Sequence, residues 1–160
     1  MSLFFKRIHK ADRVLSILGW LNVVVMFFAM CAAPWDDSAL QLGANPWTKV
    51  IRYAAGLAIY SWTLAQFIQY LKDASPNILK VVRWGTFVCV SLVAAGVTVQ
   101  AMRGLPSHFN IKGEENAVIF AVISFGTLAN SLIAFLMLFL FLWEEIDLPR
   151  AYLMGIRLGF

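Results

Sequence analysis

The 160-residue chain is 61% hydrophobic and only 14% charged, with a net charge of +4 and a mean hydropathy of +0.74. Soluble domains run about 45–50% apolar and about 25% charged, and a chain this short cannot hide so much apolar surface from water. With 14% aromatic residues, 10 Gly and 2 Cys it is not disordered, collagen-like or a disulfide scaffold, which leaves an integral membrane protein.

The first thirteen residues form a basic arm holding Lys6, Arg7, Lys10 and Arg13. The apolar run 14–33 follows, ending in small residues as a signal peptide would. It exceeds the ~7–15 residues of a signal core, so it is expected to stay as the first transmembrane helix. Runs at 50–71, 84–101 and 117–143 complete a set of 20, 22, 18 and 27 residues, against the ~20 needed to cross a bilayer core. Their only formal charge is Arg52, near an end where a long side chain can snorkel. The expected fold is all-α: one four-helix transmembrane bundle over 14–143, with 144–160 as a cytoplasmic or interfacial tail.

Threading follows from Lys and Arg in the connections. Lys6, Arg7, Lys10, Arg13, Lys72, Lys80, Arg83, Arg150 and Arg157 fall on one side; Lys49, Arg52, Arg103 and Lys112 fall on the other. Both termini are expected in the cytoplasm. The positive charge is then a topogenic bias facing anionic headgroups, and no nucleic-acid partner is expected. Trp35, Trp47, Tyr70, Trp84 and Trp143 sit near run ends, as interfacial belts do.

Each run carries small or polar residues at helical spacing, the usual seam between membrane helices. These are Ser16, Gly19, Asn22, Met26 and Ala29 on the first, and Arg52, Gly56, Ile59, Thr63, Gln66 and Tyr70 on the second. On the third they are Thr86, Cys89, Val93, Gly96, Gln100 and Arg103, with Val97 off that face. On the fourth they are Ser124, Thr127 and Ser131, with Asn130 beside them. Packing through these faces is the expected role of Asn22, Gln66, Gln100 and Asn130; a polar ligand path is the alternative.

Chemistry-bearing motifs are few. Cys31 and Cys89 lie at different depths and in no Cys-x-x-Cys pair, so they read as packing residues and not as a redox dithiol. His9 and His108 fall on opposite faces, which removes a haem held by both within one chain. No metal-ligand spacing or phosphate loop is present, and no cofactor or metal is expected.

The second outer connection concentrates polar groups: Gln100-Ala-Met-Arg103-Gly104-Leu105-Pro106-Ser107-His108-Phe109-Asn110. Gly104 and Pro106 end the helix, while Glu114 and Glu115 favour the start of the next. The loop is either a rigid turn with Arg103 at the headgroups, or a ligand-binding site in which Arg103, Ser107, His108 and Asn110 face Asp36 and Asp37. Adjacent Ser107 and His108 suit a nucleophile–base pair poorly, so no catalytic residue is assigned.

The string Gln-x-x-Arg-Gly-x-x-Ser-His-Phe-Asn, with Asn116–Phe120 and the tail Leu148-Pro-Arg-Ala-Tyr-Leu-Met-Gly-Ile-Arg-Leu-Gly159, resembles a family of uncharacterised bacterial multi-pass inner-membrane proteins. The resemblance covers roughly the last 60 residues. It implies a bacterial inner-membrane setting and no defined activity; in longer members the Gly-Ile-Arg-Leu-Gly segment leads into further helices, whereas here the sequence ends at Phe160. The expected function is a non-enzymatic structural, assembly or accessory subunit in the lipid bilayer, associating with itself or with a membrane partner. The alternatives are a polar-ligand or lipid binding or transport element open to the outer face, and a membrane enzyme using His108.

Overall fold

Asp12 interrupts the basic arm with an extended backbone (φ −151°, ψ 115°), and its carboxylate accepts a hydrogen bond from Leu15 N at 3.0 Å. A helix N-terminus needs such an acceptor for its free amides. The computed structural model describes residues 3–35, 45–71, 74–105, 113–144, 146 and 148–159. Asp12 divides α1 (Leu3–Ala11) from α2 (Arg13–Ala32), which runs into a 3-10 turn at Ala33–Trp35. Then come α3 (Pro46–Ile68), α4 (Pro76–Met102), α5 (Glu114–Trp143) and α6 (Arg150–Gly159), with no strand among the described residues.

Three helices are long and apolar enough to cross a membrane: α2 with its 3-10 turn, α4 and α5. The helix α3 has a comparable 23 residues, but Lys49, Arg52, Gln66 and its Tyr and Trp residues dilute its apolar character. Both α3 and α4 begin before the apolar runs at 50 and 84. Pro46 and Pro76 occupy first-turn positions, where the missing N–H costs nothing, and helical backbone continues through Lys49, Lys80 and Arg83. An uncharged run marks the depth of a helix more closely than its length.

Two hairpins make the bundle: α2 pairs most extensively with α3, and α4 with α5, while α4 also touches α2 and α3. Asn45 closes the first hairpin, accepting from Trp47 N at 2.9 Å and donating from Nδ2 to Ala33 O at 2.8 Å. Residues 103–105 end α4 by a Schellman turn: Gly104 N donates to Ala101 O at 2.9 Å and Leu105 N to Gln100 O at 3.0 Å, with Gly104 at φ 62°. A second positive φ, 87° at Gly113, precedes α5.

The core divides in two. At the end carrying both termini, Ile8, Leu15, Leu64, Ile68, Val82, Met137, Phe141 and Ile156 cluster; at the loop end, Ala29, Trp47, Val50, Val93, Val97, Ala101 and Ile123 do so. The basic arm and the tail are thus amphipathic helices docked through Ile8 and Ile156. Arg157 Nε donates to Phe141 O at 2.9 Å, and so serves a carbonyl in the last turn of α5.

Candidate functional site

Of the four predicted seams, two are buried and two face outward. Ser16, Gly19, Asn22 and Ala29 of α2 are buried, as are Thr86, Val93 and Gln100 of α4. On α3 the predicted face is instead the open one: Arg52, Gly56 and Thr63 are exposed and Ile59 is 63% exposed. The contact face of α3 is a stripe of small residues, Ala54, Ala58, Ser61 and Ala65, which lets the α2 backbone approach. Ser124, Thr127 and Ser131 of α5 are likewise exposed.

The reason is local. Thr127 Oγ1 donates to Ile123 O at 2.8 Å, Ser131 Oγ to Thr127 O at 3.0 Å and Thr63 Oγ1 to Ile59 O at 2.9 Å. A hydroxyl bonded to its own preceding turn needs no neighbour, so its presence does not mark a buried face. The α4–α5 seam is instead cut by glycines: Ile133 sits over Gly85, Ile123 over Gly96 and Val93 over Gly126. Val97 is also buried, because α4 is contacted from three sides. Trp47 is a core residue, 5% exposed with its ring 5.8 Å from Phe28, and not an interfacial anchor; Trp35, Trp84 and Trp143 are exposed.

At the loop end, Arg103 pairs with Glu115 at 2.9 Å, joining the end of α4 to the start of α5. Asp36, Asp37, Ser107, His108 and Asn110 lie outside the described residues, so the expected loop cluster is represented by Arg103 alone. His9 is exposed, its Nδ1 3.4 Å from Ser16 Oγ. Cys31 and Cys89 are both free thiols. Among the described residues, no group of three or more His, Cys, Asp or Glu side chains is placed to hold a metal.

The four nominated amides fare differently. Gln66 is half-buried and accepts from Gln69 Nε2 at 2.9 Å, forming part of the turn after α3. Asn22 is 2% exposed; its Nδ2 donates to Leu18 O at 2.9 Å while Oδ1 has no partner. Gln100 is fully buried with both amide atoms unpartnered. Asn130 lies with Tyr60 of α3 and Thr86 of α4 at a three-helix junction. The Tyr60 hydroxyl faces both neighbours, yet none of these three buried oxygens is seated in a well-formed hydrogen bond.

Two features escaped the sequence reading. One is the ion pair Asp12–Arg83, with an Asp12 side chain only 1% exposed; Arg83 directly precedes one apolar run and Asp12 stands two residues before another, so their common depth was legible. The other is the Tyr60 junction, hidden because Tyr60 falls off the polar face assigned to α3. No family model, curated protein or solved structure matches the chain.

Proposed function

We propose that the protein is a four-span integral membrane protein, with both termini cytoplasmic, acting as a non-enzymatic structural, assembly or accessory subunit. One observation carries the membrane placement. Arg83, paired with Asp12, and Arg103, the C-cap of α4 paired with Glu115, stand twenty residues apart with no charge between them. At 1.5 Å per residue that is about 30 Å, the thickness of a hydrocarbon core. The pairing of α3 with α2 supports a fourth span, since a helix held in that hairpin shares the depth of its partner. Exposed Arg52 lies within its first two turns, where it can snorkel.

The subunit role draws support from α5, which is seated chiefly on α4 and leaves Ser124, Thr127 and Ser131 outward beside Phe125, Leu128, Leu132 and Phe135. Such a face suits a second membrane helix, from another copy or a partner subunit. The bacterial inner membrane is proposed on the loop-motif resemblance. A lipid-binding reading is favoured by one feature, a groove of about 360 Å³ between α2 and α4.

Cysteines placed at Ser38 and Ser75, with Cys31 and Cys89 removed, test the threading. An impermeant reagent on intact cells should label position 38 and spare position 75; the reverse overturns the topology. Native mass spectrometry from mild detergent should show a self-associated species or a co-purified membrane subunit. A bare monomer overturns the subunit role.

A further inference from the structure

Asp12 is the only acidic residue among the first 35, and its carboxylate is already committed to Arg83 and to Leu15 N. Among the described residues, Lys6, Arg7 and Lys10 of α1 are exposed and pair with no acidic group. At 3.6 residues per turn, Lys6 and Lys10 stand about 160° around the helix from the buried Ile8, and Arg7 about 100°, so the three share one outward arc. We propose that this arc binds the headgroup phosphate of an anionic phospholipid, in preference to zwitterionic lipids of the same leaflet. The inference rests on the proposed membrane placement and goes beyond the general positive bias of that side, because it assigns the lipid to three named cations.

Three observations select that ligand. The first is position. The Phe5 ring lies 5.0 Å from those of both Trp20 of α2 and Trp62 of α3, and Trp20 stands eight residues, about 12 Å, beyond Asp12. The helix α1 is therefore folded back against the flank of the α2–α3 hairpin and does not stand clear of the bundle. Trp20 remains 40% exposed on that flank, which the membrane placement gives to lipid. Basic residues on the polar side of a helix so placed meet headgroups first. The second is spacing. Lys6 and Lys10 are one turn apart, about 6 Å along the axis, so two ammonium groups can reach one phosphate between them. Arg7 adds a planar fork able to grip two phosphate oxygens. The third is the uncompensated charge of the arc. The choline of phosphatidylcholine brings a cation of its own, and with Asp12 committed no carboxylate on α1 or at the start of α2 offsets it. A phosphatidylglycerol headgroup brings no cation. Ile8, 0% exposed, seats the helix in the bundle, so the three cations are held ready before the lipid arrives.

Native mass spectrometry of the full chain, in micelles holding equimolar phosphatidylglycerol and phosphatidylcholine, reads the first lipid retained. Phosphatidylglycerol should be retained at least about fivefold over phosphatidylcholine, the increment of one cation near an anionic surface. Lys6→Gln/Lys10→Gln should bring the ratio below about twofold, and Lys6→Arg/Lys10→Arg should keep it. Lys80→Gln/Arg150→Gln removes the same charge from exposed positions elsewhere at that end and should leave the ratio in place. Equal retention of the two lipids by the native chain overturns the proposal, as does a preference that survives Lys6→Gln/Lys10→Gln. An equal loss in Lys80→Gln/Arg150→Gln overturns it too, because the preference would then belong to the diffuse field of the whole face. Neither glycerol phosphate nor hexaglutamate, at the concentration of the lipid, should displace it. Displacement by either assigns the arc to a soluble anion or an acidic chain and overturns the lipid reading. The cysteine labelling above is read separately, so a failed topology and a failed lipid site are distinguishable.

Discussion

Asp12 Oδ2 accepts a hydrogen bond from Arg83 Nε at 2.5 Å, across 71 residues of sequence, while Asp12 Oδ1 caps α2 through Leu15 N. One carboxylate therefore ends the basic arm, starts a helix and fixes the depth of α4 against α2. Asp12→Ala removes both bonds, and we expect a loss of about 2 kcal/mol: roughly one from the cap, the rest from the ion pair. Arg83 is 31% exposed and can turn outward, so the loss should fall short of that for breaking a fully buried pair. Asp12→Asn keeps a capping oxygen and should lose less. Unfolding midpoints in mild micelles check this ordering; an Asp12→Ala variant as stable as the parent contradicts it.

Gly19 and Gly56 form a natural control pair. A Cβ on Gly19 would fall inside the indole of Trp62, whereas one on Gly56 meets nothing within 4 Å. Trp62 Nε1 donates to Ser16 O at 3.3 Å, and its ring lies 5.0 Å from Phe5 and 5.3 Å from Trp20, joining α1, α2 and α3. Gly19→Ala should displace that ring, lowering the thermal midpoint and shifting the tryptophan emission. Gly56→Ala should be neutral or slightly stabilising, because alanine is the better helix former. Equal effects from the two would remove Trp62 from the hairpin seam.

The buried faces of α2 and α4 were legible because an amide keeps polar capacity that its own helix does not meet: Asn22 bonds the preceding turn through Nδ2 but leaves Oδ1 over, and Gln100 leaves both amide atoms. The faces of α3 and α5 were not. Thr63, Thr127 and Ser131 satisfy themselves on their own helices, and alanine spacing, not polarity, set the buried side of α3. Arg103 was legible as the end of α4, with Gly104 in the left-handed turn that ends it, but not its partner. Glu115 was read as favouring the next helix N-terminus, and it pairs with Arg103 as well.

The Arg103–Glu115 pair should contribute little. Glu115 has a side-chain exposure of 83%, and exposed ion pairs contribute ~0–1 kcal/mol. Arg103→Lys is expected to be nearly silent, and Glu115→Gln should cost under about 1 kcal/mol with an effect that fades in high salt. Thermal midpoints at low and high ionic strength provide the measurement. A large, salt-independent loss for Arg103→Lys would instead show a second, buried carboxylate holding the guanidinium, as a clamp to Asp36 or Asp37 requires.

Gln100 gives the sharpest contrast between polarity and stability. Its side chain is fully buried at the last turn of α4, and neither Nε2 nor Oε1 has a partner, while its backbone carbonyl accepts from Leu105 N in the Schellman turn. A buried donor or acceptor without a partner costs about 1–3 kcal/mol, and replacing it with an apolar group of like shape relieves that cost. Methionine is close to glutamine in length, is likewise unbranched at Cβ and Cγ, and keeps the backbone turn intact. Gln100→Met is therefore expected to raise stability by at least about 1 kcal/mol, seen as a higher thermal midpoint in micelles and in nanodiscs. Gln100→Glu should lower it sharply, since a charge without a partner is worse placed there than an amide. A destabilised Gln100→Met in both media would mean that the amide is satisfied, which contradicts the geometry. A gain in micelles that reverses in nanodiscs would assign the amide a partner that only the bilayer supplies.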